Sequence, residues 1–259
     1  MLPPKTIVSE NRAAILKPLL DGLWIPPIIR PVVFGDFGFV CIDRIVQPSV
    51  CSLALSDFVL FAGEAQGETA RYFVETTARP YYVLPSSEEW LRLVRASTGR
   101  EGKAITRTSF SSSSLASDPL RRYAEELPKG FELRRFDEAT VYEAASRRWS
   151  QSFVENFPTP GGFLDRGFGF GIFAGGRLVS GASSFTVQGN TVEIEVDTHP
   201  RFRRRGLATA VSARLVLHCL ERGLDPHWDV ANARSCALAE KLGFTRERSY
   251  EVHKVEPPA

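Results

Sequence analysis

The sequence has little net charge and no long hydrophobic run, and each absence excludes a class of protein. Its 32 Lys and Arg residues against 30 Asp and Glu residues give a formal net charge of +2, which is too small for general binding of nucleic acid. No uncharged apolar stretch reaches the roughly 18 residues of a transmembrane helix, and the N-terminus lacks the pattern of a signal peptide. We therefore expect a cytoplasmic protein with no membrane or nucleic-acid partner.

The cysteines and histidines are few and scattered. None of the four cysteines, Cys41, Cys51, Cys219 and Cys236, belongs to a CxxC pair. We therefore expect buried structural thiols in a reducing compartment. The four histidines show no HxxxH spacing, and no serine lies in a GxSxG elbow. We expect neither a bound metal nor a covalent enzyme intermediate.

An arginine-rich turn lies between an alternating strand and an apolar-striped helix. The strand is predicted over residues 192–197, and the helix begins at Gly206. The turn contains four arginines within five residues, Arg201, Arg203, Arg204 and Arg205. Unpaired amides at a helix start, next to guanidinium groups, suit a diphosphate or a phosphorylated ribose. Such a run is also typical of a solvated surface or of a nucleic-acid-binding patch.

The spacing Arg203-x-x-Gly206-x-Ala208 resembles the pyrophosphate-binding turn of the GNAT N-acetyltransferases. Two further features are similar to that superfamily: a short strand that ends in Asn232, and a Lys-Leu-Gly-Phe segment at residues 241–244. From residue 131 onward, the predicted order βααβββαβαβ also matches. The resemblance implies an α/β (α+β) fold with a mixed, mostly antiparallel sheet flanked by helices, and acetyl-CoA (coenzyme A) as the cofactor.

The second half is similar to a subgroup of that superfamily with a long N-terminal extension. The similar segments are residues 149–153, 167–170, 179–181 and 226–229. Because a serine tract at residues 111–114 precedes a helix start at residues 117–119, we predict a smaller α/β domain over residues 1–125 and the acetyl-CoA-binding domain over residues 126–259. The resemblance implies that the extension is a degenerate second copy of the fold, which we expect to help form the acceptor site.

Hydrophobic periodicity and turn residues predict the other elements. In the first half we predict helices at residues 10–20 and 88–94, and strands at residues 39–46, 71–75 and 81–84. In the second half we predict strands at residues 131–136, 168–174, 178–187, 191–197, 227–230 and 250–255. The predicted helices there are residues 120–127, 138–149 with Asp137 as N-cap, 206–222 and 233–242. Residues 158–162, rich in Pro and Gly, are predicted as a loop, and Gly175-Gly176 as a hairpin turn.

Three carboxylates, Glu193, Glu195 and Asp197, alternate along the predicted strand and so share one face of the sheet. Acetylation of an amine needs a base to remove the amine proton, donors for the oxyanion and a proton donor for the leaving thiolate. Crowded carboxylates hold protons more tightly, which favours a base that works near neutral pH. We predict Glu193 or Glu195 as the general base, acting directly or through water. A solvated sheet face is the alternative interpretation.

The remaining roles are implied by the resemblance. Backbone amides near Val196 and Thr198 would bind the pantetheine arm, and Asn232 would face the cofactor, cap the following helix, or both. Many relatives have a tyrosine where this chain has Ala239, so the thiolate would leave unprotonated or Ser235 would supply the proton. The full predicted cofactor-binding set is Val196, Asp197, Thr198, Arg203, Arg204, Arg205, Gly206, Leu207, Ala208, Thr209, Asn232 and Ser235.

The sequence thus predicts an acetyl-CoA-dependent N-acetyltransferase, a monomer or homodimer, that acts on a primary amine of a small molecule. A metabolite, amino sugar or antibiotic suits the acidic face, which attracts an ammonium group. A protein amine is an alternative acceptor. Ala239 favours a second interpretation, a non-catalytic acyl-CoA-binding sensor, and the arginine run a third, a nucleic-acid-binding module. For His199 and His227, which flank the predicted cleft, structural and catalytic roles both stay open.

Overall fold

The computed structural model describes residues 6–77, 81–84, 86–98 and 103–255. The chain divides into two compact units. The first contains the residues up to Arg107 together with those from Ser249 onward, and the second contains Thr108–Arg248. In the described part of the chain, no helix has the length and apolar character that crossing a membrane requires.

The first unit contains a mixed sheet with helices. Its strands, in sheet order, are β1 (Thr6–Ile7), β2 (Phe39–Ile42), β3 (Val50–Leu55), β4 (Phe58–Gly63), β5 (Tyr81–Leu84) and the end of β12 (Thr245–Val255). Its helices are α1 (Arg12–Leu20), α2 (Arg30–Phe34), α3 (Gly67–Glu75) and α4 (Glu88–Thr98). Neighbouring strands are antiparallel except β4 and β5, which are parallel.

The second unit repeats this kind of arrangement. Its strands, in sheet order, are the end of β6 (Lys103–Ser111), β11 (Asp225–Val230), β10 (Thr191–Thr198), β9 (Arg177–Gln188), β8 (Gly169–Ala174) and β7 (Phe131–Arg135). Its helices are α5 (Ser117–Glu125), α6 (Glu138–Ala145), α7 (Pro160–Arg166), α8 (Leu207–Glu221) and α9 (Ala233–Leu242). Strands β10 and β11 are parallel, and the other neighbours in this order are antiparallel. The predicted mixed, mostly antiparallel fold is confirmed.

Helical segments cover both faces of the second sheet. Val211 of α8 belongs to the same buried cluster as Val192 of β10 and Trp228 of β11, so α8 covers that face. A 3₁₀ turn at Gln151–Phe153 lies against the other face, since a Cβ on Gly181 would meet the Phe153 ring at 2.5 Å. Strands β9 and β10 therefore lie between two helical layers.

Local sequence signals explain several element ends. Oδ1 of Asp137 accepts the Thr140 N–H at 2.8 Å, which confirms Asp137 as the N-cap of α6. Gly175 and Gly176 have φ angles of 55° and 76° between β8 and β9, as a tight hairpin turn requires at both positions. Gly243, at φ 99°, ends α9.

The predicted strand at residues 71–75 is wrong, because this segment belongs to helix α3. Ala70, Phe73 and Val74 are buried while Arg71 and Glu75 are exposed. That is the i, i+3, i+4 pattern of a helix with one apolar face. Consecutive bulky residues gave the segment the composition of a strand, but the spacing of its buried positions is helical.

The predicted loop at residues 158–162 is also wrong in its second part, where α7 begins at Pro160. The Thr159 hydroxyl accepts the Gly162 N–H at 3.0 Å, and proline is well tolerated in the first turn of a helix. Helix α6 ends at Ala145 rather than near Trp149. Strands β1, β3, β4 and β6 and the short helix α2 were not predicted.

The two units divide after Arg107 and again after Arg248, whereas the predicted domain boundary follows residue 125. Leu120 of α5 is buried in the core of the second unit, where α5 packs on α8. The end of β12 pairs with β5 from His253 to Val255 and so belongs to the first unit. The division into domains 1–125 and 126–259 stays a prediction.

Candidate active site

Strands β10 and β11 separate toward their C-terminal ends. They pair only from Thr191↔Asp225 to Glu193↔His227, although β10 continues to Thr198 and β11 to Val230. Beyond Glu193, β10 keeps its pairing with β9. Over residues 194–198, its other edge therefore has no strand partner among the described residues.

Two backbone N–H groups of β10 point toward this open edge. The His199 N–H donates to the Val179 carbonyl oxygen at 2.9 Å, and alternation in an antiparallel pair directs the N–H groups of Val196 and Thr198 the opposite way. The Thr198 N–H donates to Oδ1 of Asp197 at 2.6 Å. The Asp197 side chain therefore occupies one of the amides that the resemblance assigns to the pantetheine arm.

Helix α8 begins beside the same gap. Gly206 precedes it at φ 79°, a left-handed conformation that favours glycine, and no side chain of the described residues caps the helix. The first intrahelical bond joins the Ala210 N–H to the Gly206 carbonyl oxygen, so the N–H groups of Leu207, Ala208 and Thr209 lack intrahelical acceptors. A Cβ on Gly206 would meet nothing within 4 Å, which leaves these amides approachable.

A cavity of about 760 Å³ joins the gap between the strands to the start of α8, within the size range of small-molecule sites. Most of the predicted residues line it: Glu195, Val196, Asp197, Thr198, Arg203, Arg204, Gly206, Leu207, Ala208, Thr209, Asn232 and Ser235. Five lining residues were not predicted: Phe202, Trp228, Ala233, Arg234 and Leu238. Their sequence proximity to predicted residues was the signal that could have identified them.

The three predicted arginines take different positions. Arg203 holds the end of β10, because its Nε donates to the Thr198 carbonyl oxygen at 2.9 Å and its Nη2 lies 3.3 Å from Oδ1 of Asp197. Arg204 is exposed and lines the cavity. The Arg205 guanidinium lies 5.4 Å from the centre of the Phe202 ring, and Arg205 is outside the cavity lining. Of these three, Arg204 is therefore the one best placed to meet an anion in the cavity.

Asp197 is a carboxylate whose proton affinity depends on two opposing effects. Burial raises the pKa of Asp197 above its usual value, although the Thr198 N–H and the Arg203 guanidinium favour the charged form. The side chain keeps 36% of its exposure. The carboxylate therefore gains a proton at a higher pH than an exposed aspartate would.

The two candidate bases lie in different surroundings. Glu193 is only 4% exposed, and its Oε1 accepts the Asp229 N–H of β11 at 2.6 Å. Glu195 is half-buried and lines the cavity, and its Oε1 accepts the Ser152 hydroxyl at 3.2 Å. Of the two, Glu195 reaches the cavity, whereas Glu193 links two strands inside the sheet where their pairing ends.

The start of α9 forms another wall of the cavity. Oδ1 of Asn232 accepts the Ser235 N–H at 3.0 Å, so Asn232 is the N-cap of α9, and both residues line the cavity. Ala239 is fully buried in the core cluster of the second unit. No hydroxyl is therefore present at the position where many relatives have tyrosine, and Ser235 stays a candidate proton donor.

The two flanking histidines both have polar partners. Nδ1 of His199 accepts the Arg201 N–H at 3.3 Å, and its ring packs edge-on against Trp149. Nε2 of His227 lies 3.0 Å from Oδ2 of Asp225. Neither histidine lines the cavity. In the described part of the chain, no group of three or more His, Cys, Asp or Glu residues could hold a metal ion.

Known proteins of similar sequence and fold are acetyltransferases. The family model described as GNAT acetyltransferase matches residues 17–253. The chain is 25% identical over 257 residues to the uncharacterized N-acetyltransferase YdfB of Bacillus subtilis (strain 168), covering 95% of this chain and 97% of that protein. The GCN5-related N-acetyltransferase-like protein from Streptococcus suis 89/1591 is 28% identical with a TM-score of 0.84, covering 95% of this chain and 99% of that one.

A tandem GNAT protein from the clavulanic acid biosynthesis pathway shares the fold, at 14% identity and a TM-score of 0.51, covering 91% of this chain and 86% of that one. The family model spans both compact units rather than the second alone. Members of that family use acetyl-CoA. The resemblance seen in the arginine turn is confirmed, and the chain belongs to the GNAT acetyltransferase family and is an N-acetyltransferase.

Proposed function

We propose that the protein transfers the acetyl group of acetyl-CoA to a primary amine of a small molecule, by direct transfer with Glu195 as the general base. The observation that carries this proposal is the cavity of about 760 Å³ that contains both the open start of α8 and Glu195. Helix amides line one part of the cavity, and a half-buried carboxylate lines another part. Different elements would therefore hold the anionic part and the reactive part of the ligands.

The start of α8 fits the diphosphate of acetyl-CoA. The N–H groups of Leu207, Ala208 and Thr209 lack intrahelical acceptors, and Gly206 leaves the approach to them open. A helix N-terminus has a partial positive charge that favours phosphate, and the Arg204 guanidinium adds a full charge. When bound, the cofactor supplies an acetyl group activated as a thioester.

Glu195 would activate the amine. The Ser152 hydroxyl holds one oxygen of its carboxylate at 3.2 Å, which limits the directions in which the group can turn. An ammonium group is attracted to this carboxylate before it gives up a proton, and removal of that proton frees the nitrogen lone pair for attack. The Asp229 N–H engages Glu193 inside the sheet, so we do not propose Glu193 as the base.

The acceptor is proposed to be small because Glu195, the carboxylate that would deprotonate it, is half-buried in the cavity rather than on an open surface. A metabolite, amino sugar or antibiotic with a primary amine suits the half-buried carboxylates Glu195 and Asp197. A protein N-terminus or lysine is the alternative acceptor, which a peptide substrate would reveal. Cytoplasmic location and a monomeric or homodimeric state stay predictions.

Ala239 favours a second candidate function, a non-catalytic acyl-CoA-binding sensor. Its buried methyl group cannot protonate a leaving thiolate. A sensor would bind acetyl-CoA in isothermal titration calorimetry and consume none with any amine. An enzyme without that donor would still turn over, either through the Ser235 hydroxyl or by releasing the thiolate unprotonated.

The test is an acetyl-CoA consumption screen over small amines and peptide amines, followed by two variants on the best substrate. We expect Glu195→Gln to lower kcat/KM by about 10²- to 10⁴-fold at neutral pH, with partial recovery at higher pH, where more of the amine is already unprotonated. Glu193→Gln is the matched control and should lower kcat/KM much less. Full activity of Glu195→Gln would place the base elsewhere.

A further inference from the structure

A histidine and two aspartates of β11 lie beside the carboxylates of β10 on the sheet face opposite α8. Because strand side chains alternate, Asp225, His227 and Asp229 share one face of β11. The parallel register places His227 directly opposite Glu193, and neighbouring strands are about 4.8 Å apart. The buried Glu193 carboxylate therefore has the His227 imidazole as its neighbour on the next strand.

His227 is joined to a carboxylate that reaches solvent. Its Nε2 lies 3.0 Å from Oδ2 of Asp225, and the two side chains are 16% and 40% exposed. The Ser112 hydroxyl donates to the other oxygen of Asp225 and so orients the carboxylate. Because a carboxylate only accepts hydrogen bonds, Nε2 of the neutral ring bears the proton and Nδ1 bears a lone pair.

That lone pair faces the protein interior. Nδ1 of His227 is buried and has no hydrogen-bond partner in the described part of the chain. A buried acceptor without a donor destabilises the folded state, so its presence in a folded protein needs an explanation. A proton acceptor that works during turnover would explain it.

Acetylation of an ammonium group releases one proton to solvent per turnover. The carbon–nitrogen bond forms and the carbon–sulfur bond breaks with its electron pair moving to sulfur. The nitrogen loses two protons, of which one ends on the released thiol and the other must leave the protein. Glu195 is half-buried and lines the cavity that the ligands would fill, so a base at this position needs another route to solvent while they are bound.

We infer that His227 and Asp225 are this route, an inference that rests on the proposed function. The proton passes from Glu195 along the shared face, past Glu193, to Nδ1 of His227, while the Nε2 proton passes to Asp225 and solvent. In this route a water molecule carries the proton between Glu195 and Glu193, which are two residues apart on one strand, about 7 Å. His227 does not line the cavity and acts as a relay residue.

The groups around His227 agree with this direction of transfer. Glu193 faces it from β10, and Asp225 and Asp229 share its face of β11. Cys219 of α8 lies near Asp225, but burial, with a smaller contribution from the Asp225 charge, raises the pKa of that thiol to about 12. Cys219 therefore stays protonated and does not compete for the proton.

The first test uses the protein without ligands. A long-range ¹H–¹⁵N correlation spectrum of the imidazole nitrogens should show His227 as the Nε2–H tautomer. Asp225→Ala should remove that preference, because it removes the acceptor at Nε2. An Nδ1–H tautomer in the wild-type protein would overturn the relay, since Nδ1 could then accept no proton.

The second test measures turnover. His227→Gln keeps a hydrogen-bond donor for Asp225 but cannot relay a proton, so we expect kcat to fall by about 10- to 100-fold while KM values and the melting temperature stay close to wild type. His227→Ala should be equally slow and should recover with added imidazole. The matched control is His218→Gln, which removes an imidazole on α8, away from the proposed relay.

The outcomes separate this inference from the proposed function. Wild-type kcat in His227→Gln would overturn the relay. A slow His227→Ala that imidazole fails to rescue would assign His227 a structural role and overturn it as well. A wild-type protein that consumes no acetyl-CoA with any amine would instead overturn the proposed function, and the relay with it.

Discussion

The two compact units repeat one order of elements. The first runs β1, α1, α2, β2, β3, β4, α3, β5 and α4 before β6, and the second runs β7, α6, α7, β8, β9, β10, α8, β11 and α9 before β12. In each, one parallel pair, β4 with β5 and β10 with β11, is followed by a helix. This repetition supports the prediction that the N-terminal half is a degenerate copy of the fold.

The parallel pair of strands and the helix that follows it form a junction in each unit. In the second unit this junction contains the cavity, and in the first unit side chains fill it. After β4 and β5, the Trp90 indole N–H donates to the Gly63 carbonyl oxygen at 3.0 Å, and its ring stacks on Phe61 with centroids 5.3 Å apart. The Ser86 hydroxyl donates to the Phe61 carbonyl oxygen. Phe61 and Gly63 follow the last residue of β4 that pairs with β5, and Trp90 is 1% exposed, so we infer that Trp90 fills the position that corresponds to the gap between β10 and β11.

The turns that precede the corresponding helices also differ in charge. Residues 63–70 contain Glu64 and Glu68 and no arginine, whereas Arg203, Arg204 and Arg205 precede α8. Acidic side chains repel phosphate, and arginines attract it. We therefore propose that the same architecture is a scaffold in the first unit and the cofactor site in the second, and that one large side chain and a few charges make the difference.

The largest expected effect is on the filled junction. Trp90→Ala should destabilise the protein by about 3–5 kcal/mol, because it leaves a cavity in the core of the first unit and removes the donor to Gly63. Trp90→Phe keeps most of the volume and should cost about 1–2 kcal/mol. Urea denaturation measures both.

Opening this junction should not create a second acetyl-CoA site, because Glu64 remains before α3 and Glu68 remains in its first turn. Calorimetric titration of Trp90→Ala should still give one acetyl-CoA per chain. A second binding event would mean that Trp90 alone distinguishes the units and that the charges of the turn are irrelevant.

Two glycines allow a matched substitution at the helix starts. Gly206 and Gly67 have φ angles of 79° and 81°, and a Cβ on either would meet nothing within 4 Å. Gly206→Trp should weaken acetyl-CoA binding by more than about 100-fold, equal to about 2.7 kcal/mol, by covering the amides of α8. Gly67→Trp imposes the same backbone strain and should leave the affinity unchanged. If calorimetry gave equal acetyl-CoA affinities for the two variants, the assignment of the site to the start of α8 would be wrong.

The arginines of the turn should differ in importance. Arg204→Gln should weaken acetyl-CoA binding roughly three- to tenfold at low salt, less at high salt, because Arg204 lines the cavity. Arg205→Gln should have a smaller effect, since Arg205 packs on Phe202. Dissociation constants at two salt concentrations test this order, and a larger loss from Arg205→Gln would contradict it.

The smallest expected effect concerns Asp197. Burial raises its pKa in the folded state, so the folded protein binds this proton more tightly than the unfolded chain. This contribution to stability is present at low pH and is lost as pH rises through the folded pKa. Asn at position 197 cannot ionise. The Asp197→Asn protein should therefore become more stable relative to wild type as the pH rises through the folded pKa of Asp197. Denaturation curves of both proteins across the acidic range measure the difference, and a constant difference would contradict it.

Local chemistry was sufficient to predict much of the second unit. Asp137 caps a helix, and Gly175 and Gly206 adopt left-handed turns. Each of these roles depends only on the adjacent backbone, so a few residues of sequence are enough to predict it. The arginine turn predicted the cavity wall for the same reason. The segment at residues 71–75 was misassigned because bulky residues occur in strands and helices alike, and only burial separates the two.

Other features depend on partners distant in sequence. Glu193 and Glu195 look equivalent in the sequence, yet one binds the Asp229 amide 36 residues away and the other binds the Ser152 hydroxyl 43 residues away. Likewise, nothing local to Trp90 reveals that it fills a junction beside Gly63. These roles arise from strand register and packing, which a single sequence does not display.

Calorimetric titration of the wild-type chain with acetyl-CoA tests the central claim most directly. We predict one molecule bound per chain, displaced by free coenzyme A, because only the second unit combines an open helix start with arginines and a cavity among the described residues. Two molecules per chain, or none, would contradict the assignment of the site to the start of α8.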